Sequence, residues 1–168
     1  MKNITLIGMP GCGKSTIGVV LAKVLGYRFT DCDLLIQEQT GRLLHELIEE
    51  YGNDGFVKIE NDTIKGIKTS NCIIATGGSA VYGSEAMAHL KDISTVVYIK
   101  LSYKEIESRL GDLEERGVVL EKGKTLLDLY NERCKLYEKY ADVVVETENL
   151  SVRESVKAVT DRVADKNK

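Results

Sequence analysis

Along this chain, short apolar runs alternate with longer stretches in which apolar residues recur every three or four positions, a pattern that predicts strands alternating with helices. Residues 3–7, carrying Ile4, Leu6 and Ile7, form the first run, and residues 16–25 continue without a breaker as a helix that Gly26 stops. A second strand over 27–30 ends on Asp31-Cys32-Asp33, and a helix over 34–40, with Asp33 as a favoured N-cap, is broken by Gly41. Residues 42–51 form a short amphipathic segment, Gly52-Asn-Asp-Gly55 a turn, and residues 56–68 a helix with Phe56, Ile59, Thr63 and Ile67 near one face. The run 72–75 is wholly apolar and of strand length, and a short helix over 84–90 separates it from a buried strand over 95–99. Ser102 and Glu105 make a capping-box pattern for a helix reaching Leu110. A long helix over 125–140, a short strand over 143–145, an amphipathic helix over 151–164 and a frayed tail complete the chain.

Five strands alternating with helices predict an α/β fold, a parallel sheet with helices on both faces in three layers. At 168 residues one domain is expected, large enough to bury roughly 70% of its unfolded surface without staples. Between residues 111 and 124 the composition shifts to Gly, Glu and Lys, which predicts a lid between regular helices. The charge of -3, from 26 acids against 23 bases, offers no basic face for nucleic acid or an anionic membrane. Cys12, Cys32, Cys72 and Cys134 are too widely spaced for a metal or redox motif, and no apolar run reaches the length of a membrane span. A cytoplasmic monomer with reduced thiols is the expectation.

The chemistry concentrates in Gly8-Met9-Pro10-Gly11-Cys12-Gly13-Lys14-Ser15, which matches the phosphate-cradling pattern G-x-x-x-x-G-K-[ST] in its required setting of strand, loop and helix. Glycines let the backbone N–H groups of Gly11, Cys12 and Gly13 turn inward around an anion, and the helix entered through Lys14, Ser15 and Thr16 adds its free N–H groups and dipole. Lys14 supplies a mobile positive charge for the β- and γ-phosphates of ATP, and the Ser15 hydroxyl suits Mg²⁺. Cys12 fits the tight loop as a small residue. Asp31 and Asp33 stand at the carboxyl end of a strand, the edge where open α/β sheets bind ligands. Gly77-Gly78-Ser79 makes a second glycine-rich loop at another strand end. His45 and His89 receive no role.

These residues together resemble the shikimate kinase family, small P-loop kinases of the nucleoside-monophosphate-kinase type. The resemblance spans nearly the whole chain, through Gly11-Cys-Gly-Lys-Ser15, Asp31-Cys-Asp33 with Thr40-Gly41, Phe56 with Glu60, Gly77-Gly78, Arg109, and Arg133 with Leu136-Tyr137. It implies a sheet of order 2-3-1-4-5 and ATP-dependent phosphorylation of a small-molecule hydroxyl, shikimate first. It further implies that Asp31 helps hold Mg²⁺, Asp33 contacts the acceptor hydroxyl, Gly77 and Gly78 line the acceptor pocket, Arg133 binds the acceptor carboxylate and Arg109 lies at the adenine. Three positions depart from the family pattern. Val57 follows Phe56 where the family carries a second carboxylate-binding arginine, Ser79 ends the glycine triplet, and the lid reads Arg116-Gly-Val-Val-Leu120, so that Arg116 would serve the nucleotide from one position away. With Val57 in the wall, another small hydroxy acid or a hydroxy amino acid such as homoserine is the alternative acceptor. A nucleotide-sensing P-loop protein without turnover is a more remote one.

Overall fold

The computed structural model of the chain describes residues 2–111 and 120–166. The described elements alternate as the pattern predicts. They are β1 (Asn3–Ile7), α1 (Lys14–Leu25), β2 (Arg28–Asp31), α2 (Cys32–Thr40), α3 (Leu44–Lys65), β3 (Cys72–Ala75), α4 (Ser84–Ile93), β4 (Ser94–Lys100), α5 (Tyr103–Leu110), α6 (Leu126–Tyr140), β5 (Val143–Glu146) and α7 (Val152–Lys166). The strands pair in parallel in the order β2-β3-β1-β4-β5, with helices on both faces. Every residue of β1 and β3 is buried, as are Ser94–Ile99 of β4, which is why these strands read as continuous apolar runs. The edge strands β2 and β5 are only partly covered.

Because β1 pairs with β3 on one side and β4 on the other, the chain leaving β1 emerges where successive connections go to opposite faces of the sheet. It does so under a tight constraint. Gly8 has φ 150°, and a Cβ there would stand 2.7 Å from the Ile99 carbonyl oxygen of β4 and 2.9 Å from Cys12 Sγ. Only glycine lets the loop pass this close to a neighbouring strand.

Some local expectations need correction. Asp33 is not the N-cap of α2; Asp31 is, its side chain accepting from the backbone N–H of Asp33 and Leu34. The expected turn at residues 52–55 is instead a kink, since Gly52 (φ 69°, ψ −179°) bends the chain and the helix resumes at once. The buried face beyond it carries Phe56, Glu60, Thr63 and Ile64, with Glu60 buried where an apolar stripe including Ile59 was expected. Only half of the capping box at Ser102 forms: its Oγ accepts from the Glu105 N–H at 3.3 Å, but its own N–H goes to Glu148. The chain is helical through Lys166, so residues 165 and 166 are not a frayed tail.

Gly8→Ala should cost about 2 kcal/mol or more, because the clash is with strand backbone that cannot yield. Thermal melting should show Tm lower by roughly 5 °C or more.

Candidate active site

The carboxyl ends of β1, β2 and β3 converge on a cavity of about 770 Å³, lined by the loop after β1, the start of α1, the loop after β3 and residues of α2, α3 and α6. Gly11, Gly13, Lys14, Ser15, Thr16, Asp33, Val57, Gly77, Gly78 and Arg133 all line it. Lys14 is only 8% exposed, and its Nζ donates to the carbonyls of Gly8 (2.8 Å) and Met9 (3.0 Å) across its own loop. A buried ammonium needs such acceptors, and a phosphate entering the loop offers stronger ones. Cys12 is buried, so its side chain serves the packing of the loop while its backbone belongs to the cradle.

Ser15 and Asp31, sixteen residues apart in the chain, meet here: the Ser15 hydroxyl donates to Asp31 Oδ2 at 2.7 Å. Asp31 spends its other oxygen on the first turn of α2, so capping and the bond to Ser15 share one carboxylate. The start of α2 in turn aims Asp33 into the cavity. Burial pushes the Asp33 carboxyl up from its ordinary value, the charge of Asp31 adds to this, and Lys14 opposes it.

The loop after β3 is pinned from several sides. The Thr76 backbone N–H and hydroxyl both donate to the Leu6 carbonyl, at 3.2 and 3.0 Å, and the buried Tyr137 hydroxyl donates to the Gly78 carbonyl at 2.7 Å. No side chain fits on its two glycines. A Cβ on Gly77 would stand 2.6 Å from Glu60 Oε1 and 2.9 Å from Asp33 Oδ1; one on Gly78 would stand 2.7 Å from Pro10 Cδ and 2.9 Å from Arg133 Nη1. Adjacent glycines thus abut an acid and a guanidinium, with Pro10 of the phosphate loop packed against Gly78. Arg133 lies over the Tyr82 ring at 5.5 Å, and its Nε is buried with no partner among the described residues.

Other expected residues sit apart. Arg109 is outside the cavity lining, against the outer side of the phosphate loop, with Nε on Glu105 (2.8 Å) and Nη1 3.5 Å from the Gly11 carbonyl. Arg116 and most of the expected lid lie outside the described residues, but Leu120, Glu121 and Lys124 at its end border the cavity. Sequence reasoning gave no role to His45, Tyr82 or Glu132, all of which line the cavity. It also gave none to Ser79, whose hydroxyl donates to Glu60 Oε2 at 2.6 Å. For Glu60 the available signal was a lone acid at a position of the helical stripe that should be apolar.

A family model described as shikimate kinase matches residues 10–164. The chain belongs to the shikimate kinase family. It is 42% identical over 149 residues to a shikimate kinase of Clostridium botulinum (strain Eklund 17B / Type B), covering 86% of this chain and 88% of that protein. It is 31% identical to a shikimate kinase of Persephonella marina (strain DSM 14350 / EX-H1), covering 97% and 99%. Among solved structures, shikimate kinase from Acinetobacter baumannii in complex with shikimate matches with a TM-score of 0.90 at 27% identity, over 98% of this chain and 94% of that one. That from Aquifex aeolicus matches with a TM-score of 0.86 at 30% identity, over 98% of both. As a shikimate kinase family member the chain is an ATP-dependent phosphotransferase with an alcohol group as acceptor. Among the described residues no helix is long and apolar enough to cross a membrane.

One group in this site carries a stability signature. Glu60 is almost completely buried, and burial pushes its carboxyl up to about 7; Asp33 adds to the shift, while Ser79, Arg133 and Lys14 oppose it. Below the ordinary carboxyl range the folded and unfolded chains both hold this proton, and between there and about 7 only the folded chain does. The stabilisation is therefore complete at low pH and is lost as pH rises through about 7, by about 3 kcal/mol in total. Glu60→Gln should abolish this part of the pH dependence, so that melting curves at about pH 5 and about pH 8 lie closer together than those of the wild type.

Proposed function

We propose that this chain transfers the γ-phosphoryl group of ATP to a hydroxyl of shikimate. The observation that carries the reading is the Gly77-Gly78 pair: along two successive residues the loop abuts an acid, Asp33, and then a guanidinium, Arg133. A hydroxyl beside the first and a carboxylate beside the second is the seat a hydroxy acid requires. Shikimate is the hydroxy acid bound in the Acinetobacter baumannii structure.

In this reading the backbone N–H groups of the phosphate loop and Lys14 hold the β- and γ-phosphates, and charge building on the transferring group is met by donors already in place. Lys14 has only to exchange its carbonyl partners for phosphate oxygens. Asp33 accepts the hydroxyl proton of the acceptor as the oxygen attacks, and its raised pKa makes it a stronger base than an exposed aspartate. Arg133 fixes the far end of the acceptor by its carboxylate. Ser15 and Asp31 are hard oxygen donors beside the phosphate seat, and this donor set fits Mg²⁺, which is ordinarily held by one or two protein oxygens with phosphates and water. When bound there, the ion would neutralise phosphate charge. Arg109 would border the nucleotide base end, and Arg116 would approach the phosphates from the lid.

Val57 lines the cavity as an apolar wall, so the carboxylate end relies on Arg133. A coupled assay of ADP release over shikimate, homoserine and a panel of hydroxy acids tests the reading, and absence of turnover on shikimate would overturn it. Asp33→Asn keeps the shape of the side chain but removes the base; turnover should fall by about 10²-fold with ATP affinity nearly unchanged. An equal loss of ATP affinity would move Asp33 to the nucleotide site. Val57→Arg should lower the KM for shikimate by roughly tenfold, the worth of one charge-assisted hydrogen bond, and change kcat less, since the carboxylate is remote from the reacting oxygen. A higher KM in this variant would show that the apolar wall itself contributes to the fit.

A further inference from the structure

Ser79 and Glu60 lie nineteen residues apart in the chain, on the loop after β3 and on α3, and are joined by a 2.6 Å hydrogen bond. The second oxygen of Glu60 is buried and has no partner among the described residues. It points at the same small space beside Gly77 as Asp33 Oδ1, the two oxygens lying 2.6 and 2.9 Å from where a Cβ would stand. One helical turn before Glu60, the position on the cavity wall is Val57, which offers the carboxyl no charge. The loop between Asp33 and Arg133 is thus held from behind by a carboxyl whose one hydrogen-bond donor among the described residues is Ser79.

From this arrangement we infer that Ser79 and Glu60 are a positioning pair for the acceptor: their bond sets the height of the Gly77–Ser79 turn against Asp33, and so where the acceptor hydroxyl comes to rest. Neither side chain takes part in a bond that is made or broken. The pair acts through the loop and through the charge Glu60 places beside Asp33. The charged or titratable groups facing Glu60 are Asp33 and Cys32 from α2, Arg133 from α6 and Lys14 from α1, so its ionisation is felt at both ends of the acceptor seat. A loop fixed only by its backbone would tolerate loss of the Ser79 hydroxyl. A loop that reads Glu60 through that hydroxyl would not.

The inference rests on the acceptor reading of this cavity, and its test separates the two. Ser79→Ala and Glu60→Gln are assayed beside the wild type with shikimate and ATP varied in turn, across a pH range spanning 7, with a melting curve for each. Ser79→Ala should raise the KM for shikimate about tenfold, the worth of one charge-assisted hydrogen bond, and leave the KM for ATP unchanged. Because the Ser79 hydroxyl favours the ionised form of Glu60, its loss should also move the limb of the pH profile near 7 to higher pH. Glu60→Gln keeps an acceptor for Ser79 and should hold the KM close to wild type while removing that limb. Unchanged shikimate KM in Ser79→Ala overturns the inference, as does a parallel rise in both KM values with a lower Tm, the mark of a merely structural contact. If the wild type does not phosphorylate shikimate, the acceptor reading fails by itself, and the same variants are compared on the hydroxy acid it does phosphorylate.

Discussion

Everything at this site depends on how closely the chain leaving β1 passes the end of β4. The loop must turn its N–H groups toward an anion at the middle of the sheet, and the Ile99 carbonyl already occupies the place where a side chain at Gly8 would go. From the loop α1 starts at Lys14, and Ser15 in its first turn reaches Asp31 at the end of β2. From that contact the start of α2 follows, since Asp31 caps α2 with one oxygen and takes Ser15 with the other. Asp33 is aimed by a helix whose start is fixed through the phosphate loop. The phosphate loop and the position of Asp33 are therefore not independent of each other.

The loop after β3 shows the same economy from the other side. It holds no large side chain, yet Thr76 ties it to Leu6, Tyr137 to α6, and Ser79 to α3, while Gly78 lies against Pro10. Four hydrogen bonds and one apolar contact hold four residues whose backbone conformation would otherwise be free, and rigid loops of this kind are where preorganisation for phosphoryl transfer has to come from. Glycine is required here for space, and the fixed geometry comes from the neighbours.

The framework was legible in the sequence because burial leaves a simple mark. β1, β3 and β4 are covered on both faces and so read as unbroken apolar runs, and the phosphate loop announces itself by glycines, lysine and a hydroxyl at set spacing. The order 2-3-1-4-5 came with the family resemblance, not from periodicity. Local punctuation was harder. Gly52 looked like the end of a helix because its cluster contains turn formers, but packing of Leu47 and Phe56 with Ile36 in one small core keeps both halves of α3 docked on α2, and the helix resumes after a single bent residue. Asp31 and Asp33 are equally good caps by type. Which one caps was decided by where β2 ends, one residue later than the apolar pattern suggested.

The surroundings of Gly77–Ser79 were the least legible part, for a reason that belongs to their physics. Glu60 stood in the sequence only as a partner of Phe56 in the family resemblance and Ser79 only as a departure from the glycine triplet; what neither shows is their contact across nineteen residues. Burial raises the pKa of the Glu60 carboxyl although Ser79, Arg133 and Lys14 oppose the shift, and the group costs stability as the pH rises. The hydrogen bond from Ser79 and the burial of Glu60 beside Asp33 are properties of the folded chain, set by how α3 packs against the loop after β3, and no local sequence pattern carries them.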